Sequence, residues 1–254
     1  MISKPKSIIF FLIFFFKLLI FFYSYDYILK MKKERIKKCV LLLSGGLDSA
    51  VVLSICKKLG YEVYAISFNY KQRHAIELEF AVWQAKEQKT KSHKIFNIDL
   101  FGGSALTDDI DVPINKNVES IPDKIPVTYV AGRNLIFLSI ATGYAETLDI
   151  DDIFLGINSL DYSGYPDCRE EFVKSFENLI NISTKKGLHR NKFKIHAPLL
   201  NLNKKEIVLM GKKNKVDLTK TSSCYNPSGL KSCGLCDSCL LRKKGFKEAK
   251  LKDH

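Results

Sequence analysis

The stretch VLLLSGGLDS, residues 40–49, decides the fold of this chain. Its first four residues form a short apolar run just ahead of two glycines, which is typical of a buried parallel strand. The following segment, 48–59, has apolar residues at helical spacing and stops before Gly60, so it predicts a helix with Asp48 or Ser49 at its N-cap. The glycines therefore lie between a strand and a helix N-terminus, where backbone amides can surround a phosphate group.

Strand and helix patterns alternate along most of the remaining chain. This alternation predicts an α/β fold, a doubly wound and mostly parallel sheet with helices on both faces. A Cys-rich end begins near residue 215. We therefore expect a phosphate-loop domain 31–215 and a C-terminal segment 216–254, with a zinc knuckle and a helix, packed on that domain. A hydrophobic extension, 1–30, precedes them. The predicted strands are 40–43, 62–69, 94–98 and 152–157, the predicted helices are 48–59, 75–89, 134–148, 170–182 and 204–214, and a long loop spans 101–126.

Composition places the chain among globular proteins with an uneven charge. Its 254 residues, 46% of them hydrophobic, suffice for one sizeable core. The net charge of +13 belongs mainly to residues 185–254, which hold 18 Lys and Arg against 5 Asp and Glu. A basic end can bind nucleic acid. The lysines are scattered and lack interleaved aromatic residues, however, which favours an ordinary solvated surface.

The first thirty residues differ from the rest. Residues 8–23 form a run of Phe, Ile, Leu and Tyr interrupted by Lys17, shorter than the roughly 20 residues of a membrane-spanning helix. Three interpretations stay open: translation that truly starts at Met31, a signal anchor, or a targeting peptide. We favour Met31, because the basic segment that follows it leads directly into the first strand.

Four of the seven cysteines cluster near one end of the chain. Two overlapping C-x-x-C pairs and a fourth thiol nine residues upstream match a structural zinc site without an open position. A thioredoxin-like redox pair and an iron–sulfur cluster are the alternatives. An odd number of cysteines also argues against a secreted disulfide framework. The predicted metal ligands are Cys224, Cys233, Cys236 and Cys239.

Polar loops follow several of the predicted strands and so meet at one edge of the sheet, where ligands bind in open α/β folds. The loop after 152–157 offers aromatic faces for a heterocycle and a guanidinium for a carboxylate. Alternatively, Asp167 caps the next helix and Arg169 lies on the surface. Likewise, His74 could be a solvated residue and Arg133, which could reach a polyphosphate, a surface charge. The candidate substrate-binding residues are Gln72, Arg73, His74, Asp161, Tyr162, Tyr165, Asp167 and Arg169.

Six motifs occur in order along the chain: SGGLDS (44–49), YKQRH (70–74), GRN (132–134), DYSGYPDCR (161–169), TSSCY (221–225) and CGLCDSC (233–239). With these motifs the chain resembles the 7-cyano-7-deazaguanine synthase family of queuosine biosynthesis, which belongs to the PP-loop ATP pyrophosphatases. The resemblance covers about residues 37–250, and its most specific parts are the loop at 161–169 and the Cys-rich end.

The resemblance implies a ligase that forms C–N bonds. Its substrates would be 7-carboxy-7-deazaguanine, ammonia and ATP with Mg²⁺, and the reaction would pass through an adenylated acid and an adenylated amide. It implies one structural Zn²⁺ per chain and a cytoplasmic homodimer that requires neither nucleic acid nor a membrane. Asp48, which could hold Mg²⁺ or position an amide, and Arg133 are the catalytic candidates. The expected ATP-binding residues are Leu43, Ser44, Gly45, Gly46, Leu47, Asp48, Ser49, Ala50, Val51, Val52 and Leu53.

Two other functions are compatible with parts of the sequence. A tRNA-thiolating enzyme uses the same kind of phosphate loop, but it would need a catalytic pair of cysteines. Cys39, Cys56 and Cys168 are poorly placed for that role, since the first two fall in a predicted strand and the middle of a predicted helix. A nucleic-acid-binding zinc module would use the basic C-terminal end, with a steep salt dependence and no turnover of ATP.

Overall fold

The computed structural model describes residues 36–121, 124–160, 164–189 and 192–253. The predictions for residues 1–30, and those for Asp161 and Tyr162, lie outside these residues. One compact unit runs from Lys38 to His254 and contains every element named below. Across the described ranges, no helix combines the length and the apolar character that crossing a membrane requires.

Five strands and six α-helices alternate along the described chain. The strands are β1 (Lys38–Leu42), β2 (Glu62–Asn69), β3 (Ser92–Asn97), β4 (Asp152–Phe154) and β5 (Lys194–His196). The helices are α1 (Leu47–Lys58), α2 (Glu77–Glu87), α3 (Arg133–Thr147), α4 (Glu170–Ser183), α5 (Lys204–Lys213) and α6 (Asp237–Glu248), and short 3₁₀ turns lie at Val118–Ser120, Pro166–Cys168 and Leu218–Lys220.

The strands form one sheet in the order β3-β2-β1-β4-β5, and every pair of neighbours is parallel. The predicted doubly wound α/β fold is therefore confirmed. The order reverses at β1, because the chain moves outward through β2 and β3 and then returns to the other side of β1 with β4. In open parallel sheets such a reversal leaves a crevice at the carboxyl ends of the two diverging strands.

Helices cover both faces of the sheet, so the strands are buried on two sides. Val40, Ile66 and Ile153 point to one core, which α3 and α4 complete. Leu41 and Ala65, on the alternate positions of β1 and β2, point to the other core with residues of α1, α2, α5 and α6. Phe246 of α6 lies in that second core, so the Cys-rich end packs directly on the sheet layer.

Most predicted bounds shift by one or two residues, and two differences concern the site. The N-cap of α1 is Gly46, with extended backbone, rather than Asp48 or Ser49, which already lie in the first helical turn. The predicted strand 152–157 ends at Phe154, and its neighbour β5, only three residues long, was not predicted. Gly60 does follow the end of α1 with a φ of +82°, as expected of a helix-terminating glycine.

Candidate active site

A cavity of about 200 Å³ lies at the carboxyl ends of the strands. Residues of the phosphate loop 44–49 line it, and so do Tyr165 and Cys168 from the loop that precedes α4. Both polar segments singled out in the sequence therefore face one space. The cavity also receives Gly156, which follows β4, as expected for a site between β1 and β4.

The phosphate loop is organised by one hydroxyl. The Oγ of Ser49 accepts hydrogen bonds from the backbone N–H groups of Ser44 and Gly45, both at 3.2 Å, and donates to the carbonyl of Gly46 at 3.0 Å. Leu47 and Asp48 follow in the first turn of α1, where N–H groups have no carbonyl partner inside the helix. A phosphate at the loop can therefore meet helix-start amides and the positive end of the helix dipole.

Two glycines let other backbone segments approach this loop. Gly45 has a φ of +89°, and a Cβ on it would lie 2.0 Å from the carbonyl oxygen of Glu77. A Cβ on Gly156 would lie 3.0 Å from the backbone nitrogen of Ser49. The loop is thus held between the start of α2 and the end of β4, and a larger side chain at Gly45 would push these backbones apart.

A buried ion pair joins the loop to α5. The Nζ of Lys204 lies 2.9 and 3.0 Å from the two carboxylate oxygens of Asp48, and these side chains are only 8% and 14% exposed. Lys204 is the first residue of α5, whose start is fixed by a capping box between Asn203 and Glu206. The structure therefore places an ammonium group beside the predicted phosphate site.

A second cation enters the cavity from the start of α3. The Nη1 of Arg133 donates to the hydroxyl of Tyr70 at 3.4 Å, and both residues line the cavity. The alternative that Arg133 is a surface charge is therefore wrong. Burial raises the pKa of Tyr70 to about 12, with the nearby Arg133 opposing the shift, so the phenol stays neutral at physiological pH.

Asp167 caps a helix, but not the one predicted. Its Oδ2 accepts a hydrogen bond from the backbone N–H of Asn134 at 3.1 Å, in the first turn of α3. The side chain of Asn134 in turn donates to the carbonyl of Asp167 at 3.2 Å. Asp167 therefore fixes the start of α3 and with it the neighbouring Arg133, whereas α4 begins after Arg169, whose side chain gives no capping hydrogen bond.

The YKQRH segment contributes one residue to the cavity besides Tyr70. His74, only 6% exposed, lines it, which excludes the alternative of a solvated side chain. Gln72 is buried and holds the bend after β2, since its Oε1 accepts from the backbone N–H of Tyr70 at 2.9 Å and its Nε2 donates to the carbonyl of Phe68 at 3.2 Å. Arg73 instead donates to the carbonyl of Asp108 at 3.1 Å.

The C-terminal segment supplies another wall, next to the phosphate loop. Ser222, Ser223, Tyr225 and Arg242 line the cavity, and the backbone N–H of Ser222 donates to the carbonyl of Gly45 at 3.1 Å. The buried guanidinium of Arg242 donates to the Oγ1 of Thr221 at 2.8 Å and to the carboxylate of Asp253 at 2.9 Å. One arginine thus fixes α6 to the segment that contacts the phosphate loop.

The four predicted metal ligands come together. The Sγ atoms of Cys224, Cys233, Cys236 and Cys239 all lie within 4.8 Å of one another. Backbone N–H groups point at three of these sulfurs: Cys233 N at Cys224 (3.1 Å), Cys236 N at Cys233 (3.4 Å) and Tyr225 N at Cys236 (3.5 Å). Ala105 and Val112 of the long loop pack against the cluster and shield it. This donor set could hold a metal ion.

The three cysteines outside the cluster lie where burial disfavours a reactive thiolate. Cys39 and Cys56 are fully buried in the core, as core fillers. Cys168 lines the cavity, but burial raises the pKa of its thiol to about 12, so the thiolate is scarce at neutral pH. The Nδ2 of Asn134 lies 3.5 Å from its sulfur.

The structure divides the sequence-predicted residues into two groups. Leu43, Ser44, Gly46, Leu47, Asp48, Ser49, His74, Arg133 and Tyr165 line the cavity, whereas Gly45, Ala50, Val51, Val52, Leu53, Gln72, Arg73, Asp167 and Arg169 are not among its lining residues. Ala50 to Leu53 are fully buried in α1, and Arg169 is exposed.

Sequence reasoning missed Lys204, Arg242 and Glu77. The signal for Lys204 was present, because the NKKE motif at 203–206 is a capping box, and helix starts that follow parallel strands lie at the ligand edge. Arg242 carried no comparable signal, since it is one of several basic residues on α6. Glu77 lies at the start of α2, beyond the YKQRH motif at 70–74.

Comparison with known proteins gives one consistent family. The model of the family described as queuosine biosynthesis protein QueC matches residues 38–250. The 7-cyano-7-deazaguanine synthase of Desulfatibacillum aliphaticivorans is 53% identical over 222 residues, covering 85% of this chain and 95% of that protein. The protein of the same name from Rickettsia rickettsii is 50% identical over 222 residues, covering 85% and 97%.

Similarity to solved structures is more distant. NMN synthetase from Francisella tularensis aligns over 88% of this chain and 81% of its own, with a TM-score of 0.46 and 15% identity. NH3-dependent NAD synthetase from Campylobacter jejuni aligns over 74% and 68%, with a TM-score of 0.41 and 18% identity. At this distance neither structure carries an argument about the present site.

Proposed function

The chain belongs to the family of queuosine biosynthesis protein QueC, and from that premise we propose how its cavity performs the family's reaction. The chain is a ligase-type enzyme that forms C–N bonds and makes 7-cyano-7-deazaguanine in queuosine biosynthesis, the activity for which its relatives are named. The starting material in our proposal is 7-carboxy-7-deazaguanine, and the nitrogen comes from ammonia.

The chemistry requires activation of a poor electrophile twice. A carboxylate oxygen attacks the α-phosphorus of ATP, pyrophosphate leaves, and the acid becomes an acyl adenylate. Ammonia then forms a C–N bond at the acyl carbon, and AMP departs with the oxygen. The resulting amide oxygen is adenylated by a second ATP, and loss of AMP yields the nitrile. In this scheme no protein side chain becomes covalently attached, consistent with the protonated thiol of Cys168.

The phosphate end of the cavity suits both adenylations. Leu47 and Asp48 present helix-start amides, while Lys204 and Arg133 add positive charge beside them. Such fixed charges stabilise the negative charge that develops on departing pyrophosphate. Mg²⁺ bound with ATP would neutralise further charge, and Asp48 offers the carboxylate to hold it. Because Lys204 already pairs with Asp48, the two side chains would share that carboxylate.

The part of the cavity at Tyr165, beside Arg133 and Tyr225, suits the deazaguanine. Tyr165 presents an aromatic ring, and its hydroxyl is fixed 2.8 Å from the Oγ1 of Thr128. We propose that the heterocycle stacks on this ring and that neighbouring polar groups of the 161–169 loop, including Asp161, Tyr162 and Arg169, recognise its edge and carboxylate. Asp167 then serves the site indirectly, because it fixes the start of α3.

We propose that the cysteine cluster holds one structural Zn²⁺. A zinc tetrahedron with Zn–S bonds of about 2.3 Å has sulfur–sulfur edges of about 3.8 Å, close to the 4.0 Å between the sulfurs of Cys233 and Cys239. The amides that point at the sulfurs also favour thiolates. All four positions are filled by cysteine, so this metal would stabilise the fold and take no part in the reaction.

One observation carries the proposed function: the phosphate loop and the 164–169 loop line the same cavity. Purified enzyme is to be incubated with ATP, Mg²⁺, ammonium and 7-carboxy-7-deazaguanine labelled with ¹⁸O in both carboxyl oxygens. We expect the nitrile as product and one ¹⁸O atom in each AMP. Unlabelled AMP would show that the carboxyl oxygens are not adenylated and would contradict the proposal.

The alternatives fit the structure less well. A tRNA-thiolating enzyme needs two accessible cysteines, but Cys39 and Cys56 are fully buried away from the cavity. We propose that nucleic acid is not required, which added tRNA would test by leaving turnover unchanged. We also propose a cytoplasmic homodimer; the seven free cysteines agree with a reducing compartment, and light scattering would measure the mass.

A further inference from the structure

His74 has no role in the two adenylations proposed above. Its Nε2 lies 3.3 Å from the Oε1 of Glu77, and the two side chains are 7% and 13% exposed. Its Nδ1 is buried and has no hydrogen-bond partner among the described residues. Buried polar atoms without a partner are rare in native proteins and call for an explanation. His74 lines the cavity but Nδ1 has almost no accessible surface there, so a ligand becomes its partner only with a small movement of the ring.

Glu77 determines what kind of ligand this nitrogen can meet. A carboxylate only accepts hydrogen bonds, so the proton of a neutral imidazole belongs on Nε2, facing Glu77. Nδ1 is then a hydrogen-bond acceptor and a proton acceptor. Gln72, which donates to the same Oε1 at 3.3 Å, holds Glu77 in place. The partner of His74 must therefore be an N–H or O–H group.

The position of His74 favours the reacting end of the cavity. Glu77 touches the phosphate loop through the close backbone approach at Gly45. The imidazole is also flanked by the rings of Tyr70 and Tyr225, at 6.5 and 6.1 Å between ring centroids. Tyr70 in turn contacts Arg133. Tyr165, the residue assigned to the heterocycle, interacts with the same Arg133 and Tyr225. His74 thus lies near both the groups assigned to phosphate chemistry and the ring assigned to the heterocycle.

We propose that His74 is the general base that removes protons from the nitrogen of ammonia as it becomes the nitrile, and that Glu77 positions it. This inference rests on the proposed function. When ammonia attacks the acyl adenylate, the C–N bond forms, the C–O bond to AMP breaks, and one proton passes from the nitrogen to Nδ1. The second proton leaves as the amide oxygen attacks ATP, and the third as the C–O bond to the second AMP breaks.

One acceptor suffices for every transfer, because all of the protons leave the same nitrogen atom. Between transfers the imidazolium returns its proton to water. The carboxylate of Glu77 stabilises the positive charge in the meantime, as an orienting acid does in catalytic triads.

The test separates adenylation from attack by ammonia in H74Q, since glutamine keeps a polar group near Nε2 and removes Nδ1. Exchange of pyrophosphate into ATP, measured with the carboxylate substrate and no ammonium, should stay within about threefold of wild type. Formation of the amide from ammonium should fall about 100-fold, the size of a lost general base. Hydroxylamine, which loses its proton readily to water, should still trap the adenylate as hydroxamate at near wild-type rate.

The possible results separate a failure of the role proposed for His74 from a failure of the proposed function. Amide formation by H74Q at the wild-type rate would overturn the role of His74, and so would an equal fall of all three rates, which would make His74 a binding residue. Absence of exchange in the wild-type enzyme would instead overturn the proposed adenylation. Should H74Q fail to fold, H74N keeps an acceptor near Nδ1 that cannot take a proton, and it should show the same loss in kcat with an almost unchanged KM for ammonium.

A matched control exists on β5. His196 lies 2.6 Å from Asp152, also as a histidine–carboxylate pair, but it does not line the cavity. H196Q should leave all three rates within about twofold of wild type per folded molecule. A selective loss of amide formation in H196Q would show that the assay reports on stability, and the inference from H74Q would then fail.

Discussion

The two walls of the cavity are held in place by different means. The phosphate-loop wall takes its inner shape from nearby groups, because the hydroxyl of Ser49 binds amides four and five residues away. Only its packing on the start of α2, through Gly45, joins distant residues. The wall formed by 221–225 is fixed from a distance, by Arg242 on α6 and by the cysteine cluster that includes Cys224. The inner shape of the first wall is therefore specified by local sequence, whereas the second depends on long-range contacts and on the zinc that we propose.

Removing a metal ligand should break the second wall with the largest effect. In C236S we expect loss of the proposed zinc, a decrease of at least about 5 kcal/mol in the free energy of unfolding, and no turnover, because 221–225 loses its anchor. Metal analysis and urea unfolding would measure this. C56A, which removes a fully buried cysteine outside the cluster, should keep one zinc per chain and turnover. Full activity in metal-free C236S would show that the two walls do not differ in this way.

Breaking the first wall should leave the metal in place. In G45A the new Cβ would overlap the carbonyl of Glu77, and the φ of +89° disfavours any side chain. We expect a destabilisation of about 4 kcal/mol and a loss of pyrophosphate exchange, with zinc retained. G60A has a similar φ of +82° but open space around its Cβ. It should lose only about 1 kcal/mol and no activity, and equal behaviour of the two variants would refute the steric argument.

The ion pair between Asp48 and Lys204 joins the loop to α5 and can be probed by a double-mutant cycle. D48N should destabilise the protein by about 3 kcal/mol, because a buried ammonium loses its carboxylate. Adding K204M should restore part of that stability, but the double variant, like D48N, should not exchange pyrophosphate into ATP. Additive destabilisation, measured by urea unfolding, would indicate that the pair does not couple the two elements.

The smallest effect at neutral pH concerns Cys168. Burial raises the pKa of its thiol to about 12, so C168A should keep turnover within about threefold. The folded pKa exceeds that of an unfolded cysteine, about 8.5. The contribution of the buried Cys168 thiol to the free energy of unfolding is therefore complete below about pH 8.5 and is lost as the pH rises toward 12. Between these limits, the stability of wild type should fall about 1.4 kcal/mol per pH unit faster than that of C168A, and parallel curves would contradict the assignment.

The contrast between local and long-range contacts explains what the sequence could predict. The turn at Gly45 and Gly46, the stop at Gly60 and the four clustered cysteines are local signals, and the structure bears out each of them. The strand β5 is too short for a pattern, and its place depends on β4. The cap that Asp167 provides for α3 joins residues 33 positions apart in sequence. Spacing along the chain carries no information about such contacts.

The strand order also has a consequence for synthesis of the protein. β1 pairs with β4, more than a hundred residues later, and the cavity is lined by residues from Leu42 to Arg242. Contacts of such separation slow folding, because a long loop must close before they form. On the ribosome, the nascent chain can present the phosphate loop early, but the pocket does not exist until α6 has emerged. A truncated translation product therefore carries the nucleotide signature without a competent site.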